Sequence, residues 1–201
     1  PLAVDIELLQ IGLIELADHA LPDGAAKPIA ADFSASLSSA AGSHRLGQMH
    51  AQVGQLTMAG EASLAADPPF QLAARAELNG EAVGRPLRFV LNADGPLADF
   101  AIFGQARTLE ARPDERFAGT MQARIAAFAS QPLGQAVVHL TGVDPSAWFA
   151  GVPAATLDID VELRPRGDTL DVLDGRLIVN NRLAGSVDQQ RVPLRELRTE
   201  L

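Results

Sequence analysis

The chain contains no cysteine and no tyrosine, and its aromatic residues are eight phenylalanines and one tryptophan. Without cysteine it can form neither disulfides nor thiolate metal sites. Aromatics are only 4% of a sequence that is 47% hydrophobic, so alanine, leucine and valine supply much of the apolar content. Because alanine buries little surface, this composition favours an elongated or layered shape over a compact globule.

Positive charge and long apolar runs are also scarce. The formal net charge is -9, which disfavours binding to nucleic acid, and no run of lysine or arginine predicts docking on anionic headgroups. The sequence shows neither a signal-peptide core nor an apolar segment long enough to cross a bilayer. Because the chain starts at Pro1, we expect it to be a segment of a longer protein.

Alternating apolar and polar residues recur through most of the sequence. The clearest cases are FQLAARAEL at 70–78, PLRFVLN at 86–92 and TLDIDVELR at 156–164, and LAVDIEL at 2–8 is similar. This period is typical of strands with one apolar face. Turn residues such as DPP at 67–69 and DG at 174–175 separate the runs. The pattern predicts an all-β chain of antiparallel or mixed sheet.

One segment, VDPSAWFAGVP at 143–153, has a helical pattern. Asp144 is a candidate N-cap, Pro145 suits the first helical position, and Gly151 and Pro153 end the pattern. We therefore expect one short helical turn near 144–150. The end of the chain, 193–201, fits either a short helix or an edge strand.

No constellation of catalytic or metal-ligating residues emerges. The four histidines, His19, His44, His50 and His139, form no metal-binding motif, and His44 and His50 are expected on either side of a turn. Asp158, Asp160 and Glu162 alternate along one strand, which is typical of its solvated face. We predict no catalytic residue, no metal site, no cofactor and no enzymatic activity.

Residues 60–80, 87–106 and 136–197 carry a family likeness. In 136–197 an apolar strand is followed by a DPxxW-like turn, a proline and the alternation L-x-I-x-V-x-L. A G-x-L-x-V-x-N run and GSVDQQRVPL at 185–194 come next. In texture and order this stretch resembles the TamB family of the AsmA-like group.

The resemblance implies one elongated domain over 1–201, a sheet curled along its length into a U-shaped, taco-like trough with an apolar groove. TamB-like proteins are anchored in the inner membrane and extend through the periplasm. They work with TamA, an outer-membrane barrel, in the translocation and assembly module for outer-membrane biogenesis. The family implies phospholipid transport and brings no catalytic residues or cofactors. At about 4.8 Å per strand, roughly twelve strands would give a trough on the order of 58 Å long.

The predicted groove consists of apolar residues on alternate positions of several strands. A closed sandwich core would use the same residues, and alternation by itself does not distinguish the two. A chaperone that binds unfolded outer-membrane strands at open sheet edges, or a structural solenoid, remains an alternative to lipid transport. The candidate lipid-binding residues are Phe70, Leu72, Leu78, Leu87, Phe89, Leu91, Leu157, Ile159, Val161, Leu163, Leu177 and Val179.

Overall fold

A computed structural model describes residues 3–16, 27–40, 42–54, 56–82, 85–109, 116–129, 132–147, 151–166 and 173–200. Strands dominate these ranges, and helix is limited there to two three-residue 3-10 turns, Pro145–Ala147 and Val187–Gln189. The prediction of an all-β chain is confirmed. No helix within these ranges is long and apolar enough to cross a membrane.

The strands form a single twelve-stranded sheet in which each strand pairs with the next one along the chain. All of these pairings are antiparallel. The strands are β1 (Val4–Leu16), β2 (Lys27–Ala40), β3 (Ser43–Val53), β4 (Leu56–Ala65), β5 (Gln71–Ala82), β6 (Arg85–Pro96), β7 (Phe100–Thr108), β8 (Ala118–Ile125), β9 (Leu133–Val143), β10 (Leu157–Pro165), β11 (Leu173–Asn181) and β12 (Glu196–Glu200).

Strands form where the alternation is strongest. β10 nearly coincides with the predicted run at 156–164, and β5 and β6 include the runs predicted at 70–78 and 86–92 except for Phe70. β5 and β6 pair without interruption from Gln71 with Pro96 to Ala82 with Arg85. Several connections are as short as two residues, for example 54–55 between β3 and β4, which antiparallel pairing permits.

Some predicted turns are strand, and this part of the sequence-based interpretation is wrong. His44 and His50 both lie in β3, where a bulge between Leu46 and Met49 interrupts the pairing with β4. The extra residue interrupts the alternation of apolar and polar positions, so the alternation pattern did not predict this strand. Gly175, predicted in a turn, lies in β11 opposite Leu163 of β10.

The predicted helical turn is present as the 3-10 turn Pro145–Ala147. Asp144 caps it, because its Oδ1 accepts hydrogen bonds from the backbone N–H of Ser146 at 3.1 Å and the Ser146 hydroxyl at 2.7 Å. The remainder of the predicted turn, 148–150 with Trp148, lies outside the described residues. At the other ambiguous segment, 193–201, the structure selects the edge strand β12.

The sheet is open, since β1 and β12 stand at its two edges and each pairs with a single strand. In the described part of the chain, each strand packs extensively only on its neighbours in the sheet, so no second layer covers either face. The sheet is at most weakly curled, flatter than the U-shaped trough that the resemblance implied. At about 4.8 Å per step the twelve strands span roughly 53 Å.

Candidate functional site: an apolar face of the open sheet

One face of the sheet collects most of the large apolar side chains between β4 and β12. Directly paired residues on neighbouring strands point to the same face, so the register defines rows across the sheet. One row contains Met58, Leu78, Phe89, Ala106, Gly119, Leu140, Ile159, Val179 and Leu197. The adjacent row contains Gly60, Ala76, Leu91, Gly104, Met121, Val138, Val161, Leu177 and Thr199. We call the surface made by these rows and their neighbours the apolar face.

Eleven of the twelve predicted lining residues lie on the apolar face, all except Phe70. Leu87 is buried, at 8% exposure, and the other ten are half-buried. The register therefore joins residues from β5, β6, β10 and β11 into one surface, although these strands are far apart in sequence.

Phe70 differs from the prediction. It lies in the turn before β5, with a φ of 56° and 42% of its surface exposed. Its N–H donates to the carbonyl of Asp67 at 2.8 Å, and its carbonyl accepts from the N–H of Leu97 at 3.0 Å. The positive φ takes Phe70 out of the extended conformation, so alternation with Leu72 does not determine where its side chain points.

Large side chains on the apolar face lie over small residues of neighbouring strands. A Cβ added at Gly104 would be 3.1 Å from Cδ2 of Leu91, and one at Gly119 would be 2.8 Å from Cδ2 of Leu140. Ala106, in the same row as Gly119, is only 7% exposed without a covering layer. These contacts partly bury the apolar side chains of an open sheet. Because the side chains are already partly buried, the sheet need not roll up or close.

Sequence reasoning missed several members of the apolar face as lining residues, notably Met58, Leu140 and Leu197. Met58 lies in β4, where the next alternate positions are glycine and alanine, so the strand shows little apolar contrast. Leu140 lies in β9, which carries a bulge opposite Leu157 and Ile159. Leu197 lies in a segment whose type was ambiguous from its sequence. The period of two is intact in β9 up to the bulge and would have identified Leu140.

The opposite face, which we call the polar face, carries charged and amide side chains from the alternate positions. Arg88 donates to Glu77 at 2.5 Å between Nη2 and Oε2, and Arg182 lies 3.0 Å from Asp158. His139 pairs with Asp160 across β9 and β10. The carboxylates of β10, predicted on a solvated face, do lie opposite the apolar residues of that strand.

Two carboxyl groups on this side of the sheet have shifted pKa values. Hydrogen bonds from Asn79 and Arg88 hold the pKa of Glu77 below its ordinary value. A hydrogen bond from Arg124 likewise lowers the pKa of Asp99. In both cases donors favour the charged carboxylate, which is the pattern of surface ion pairs.

Concave sites among the described residues include shallow depressions on the polar face. One of about 630 Å³ is lined by Arg45, Glu61, Arg75 and Asp94, among others. Another of about 510 Å³ lies between Arg88 and Arg107. These depressions lie on the polar face, whereas the apolar face consists of rows of side chains.

No group of three or more potential metal ligands occurs in the described ranges. His44 instead shares a hydrogen bond of 2.7 Å with the hydroxyl of Ser39, its partner across β2 and β3. His50 is exposed on the same strand, and His19 lies outside the described residues.

No family model, curated protein or solved structure matches this chain. The described geometry, a broad half-buried apolar face on an open sheet, is therefore the basis for the functional proposal.

Proposed function

We propose that the apolar face binds the acyl chains of phospholipids and serves as a conduit for them between the inner and outer membranes. The observation that carries this proposal is the continuity of the apolar face from Met58 of β4 to Leu197 of β12, with no covering layer among the described residues. A curl of the sheet along its length would turn this face into the groove implied by the TamB-like sequence. In this proposal the protein acts in the periplasm, within the translocation and assembly module and with TamA as its outer-membrane partner.

The energetics of a half-buried face favour movement of a lipid along it over tight binding of the lipid at one site. Leaving a large apolar side chain exposed forgoes about 1.5–3 kcal/mol of burial, so an extended face retains a substantial affinity for hydrocarbon. A two-chain lipid with roughly 30 methylenes would gain on the order of 24 kcal/mol if all were buried at about 0.8 kcal/mol each. Similar rows repeat from strand to strand, so one lipid would meet similar energies along its path.

A photocrosslinking experiment tests this proposal with a matched pair of phenylalanines. Phe89 lies on the apolar face in β6, whereas Phe103 lies on the polar face in β7 and is 47% exposed. We expect a photoreactive phenylalanine analogue at Phe89 to label co-purified or added phospholipid several-fold more than one at Phe103. Equal labelling at both positions, together with no acyl chain on the purified protein by native mass spectrometry, would contradict the proposal.

A second candidate is a chaperone that binds unfolded outer-membrane strands, and the open edge at β1 favours it. β1 has thirteen residues, forms one edge of the sheet and exposes 61% of Leu8 and 51% of Leu13. An extended peptide could add to this edge through its backbone. If the chain still binds peptide after Leu91→Ser and Val161→Ser on the apolar face, the chaperone alternative is favoured. If these substitutions abolish both lipid binding and peptide binding, the chaperone alternative is not favoured.

A further inference from the structure

A cationic depression lies on the polar face, on the side of the sheet opposite the proposed lipid surface. Its volume is about 510 Å³, and it is lined by Arg75, Arg88, Asn92, Gln105, Arg107 and Thr120, among others. None of the described residues lining it is acidic. The whole chain carries a net charge of -9, so a depression whose described lining has three arginines and no carboxylate is a local reversal of charge.

Arg88 and Arg107 are directly opposite each other in the register of β6 and β7. Like charges in directly opposite positions on a sheet repel each other and are normally destabilising. Glu77 pairs with Arg88 through Nη2 and neutralises one of the two charges. Arg107 forms no ion pair with any carboxylate in the described part of the chain, and its charge faces the depression without a described counter-ion.

Further hydrogen-bond donors surround the same position. Gln105 and Thr120 are direct partners across β7 and β8, and Gln105 is also paired with Val90 of β6. Nε of Arg88 is buried and has no hydrogen-bond partner among the described residues. Buried donors without a partner are uncommon in folded proteins.

From these observations we propose that the depression between Arg88 and Arg107 binds a phosphate-class oxyanion. A tetrahedral oxyanion can accept hydrogen bonds from both guanidinium groups at once and offset the repulsion between them. The Gln105 amide and the Thr120 hydroxyl would supply further donors. The phosphate could be free in solution or belong to a lipid headgroup, since both present the same oxygens. This proposal does not depend on lipid binding at the apolar face.

Titration of the whole chain with inorganic phosphate by isothermal calorimetry, at constant ionic strength set with chloride, tests the site. We expect Arg107→Gln to weaken phosphate binding at least tenfold. Arg107 has no ion pair with a described residue, so its replacement should leave the fold intact. Arg164→Gln is the matched control, because Arg164 is another exposed arginine of the polar face, on β10, and pairs with Glu162. We expect the control to bind phosphate as the parent chain does.

Phosphatidylglycerol vesicles, compared with inorganic phosphate, distinguish the sources of the phosphate group. Phosphatidylglycerol vesicles that sediment with the parent chain but not with Arg107→Gln would assign the site to a lipid headgroup. Binding of inorganic phosphate alone, with the same loss in Arg107→Gln, would assign it to a soluble anion. If Arg107→Gln and Arg164→Gln bind phosphate equally, or if the parent chain binds neither inorganic phosphate at millimolar concentration nor phosphatidylglycerol vesicles, the proposal is overturned.

Discussion

At the scale of single residues, close backbone approaches constrain the sheet more tightly than its half-buried side chains do. Gly142, near the end of β9, has a φ of 70°, and an added Cβ would lie 2.1 Å from the carbonyl oxygen of Arg116. Its N–H donates to Oδ1 of Asp158 at 3.1 Å. Gly54, in the turn between β3 and β4, has a φ of 60° but open space where a Cβ would be. The two glycines share a backbone conformation and differ in steric surroundings.

This difference predicts the effects of two alanine substitutions. Gly54→Ala should lower the free energy of unfolding by about 1–2 kcal/mol, the usual cost of placing an L side chain in the left-handed region. Gly142→Ala should cost roughly 1–3 kcal/mol more, because the Arg116 carbonyl must also move. Urea unfolding followed by circular dichroism measures both. Equal losses of stability in the two variants would show that the contact with Arg116 is easily relieved.

At the scale of secondary-structure elements, the two edges of the sheet differ. β12 has five residues, of which Glu196, Arg198 and Glu200 are charged. Short edge strands with charged side chains resist pairing with other chains. β1 has thirteen residues, contains no lysine or arginine, and exposes large apolar side chains that include Val4 and Ile11. The β1 edge is therefore the more exposed to self-association.

We predict that Leu8→Lys together with Leu13→Lys reduces self-association of the chain at high concentration, measured by light scattering. Lysine on an edge strand disfavours pairing with a second chain. Glu81→Lys on β5 changes the net charge by the same amount and serves as the control, since Glu81 is exposed on a strand inside the sheet. If Glu81→Lys lowers light scattering as much as the double variant, net charge rather than the β1 edge is responsible.

At the scale of the whole molecule, the described strands form a one-layer meander. Its accessible surface is 12982 Å², whereas a compact monomer of 21.1 kDa would expose roughly 9,000 Å². Extensive contacts among the described strands occur only between sheet neighbours. Stability in such an array is approximately a sum of local terms, as in repeat proteins, so distant parts should open independently.

Hydrogen exchange measured by mass spectrometry tests this independence with the same two glycine variants. Gly142→Ala should speed amide exchange in β8, β9 and β10 and leave β3 and β4 nearly unchanged. Gly54→Ala should have the reverse effect, because it lies between β3 and β4. A uniform increase across all strands in either variant would indicate a single cooperative unit instead.

The sequence by itself determined the all-β class, most strand positions and which residues share a face within one strand. It did so for Leu157 to Leu163 because alternation is a local property of the extended backbone. It did not reveal the bulge between Leu46 and Met49, nor the positive φ that takes Phe70 out of its strand. Only the tertiary structure decided that Leu78, Phe89, Ile159 and Val179 lie in one row and that no second layer covers them in the described ranges. Register and layering depend on contacts between residues distant in the chain, which a period of two does not encode.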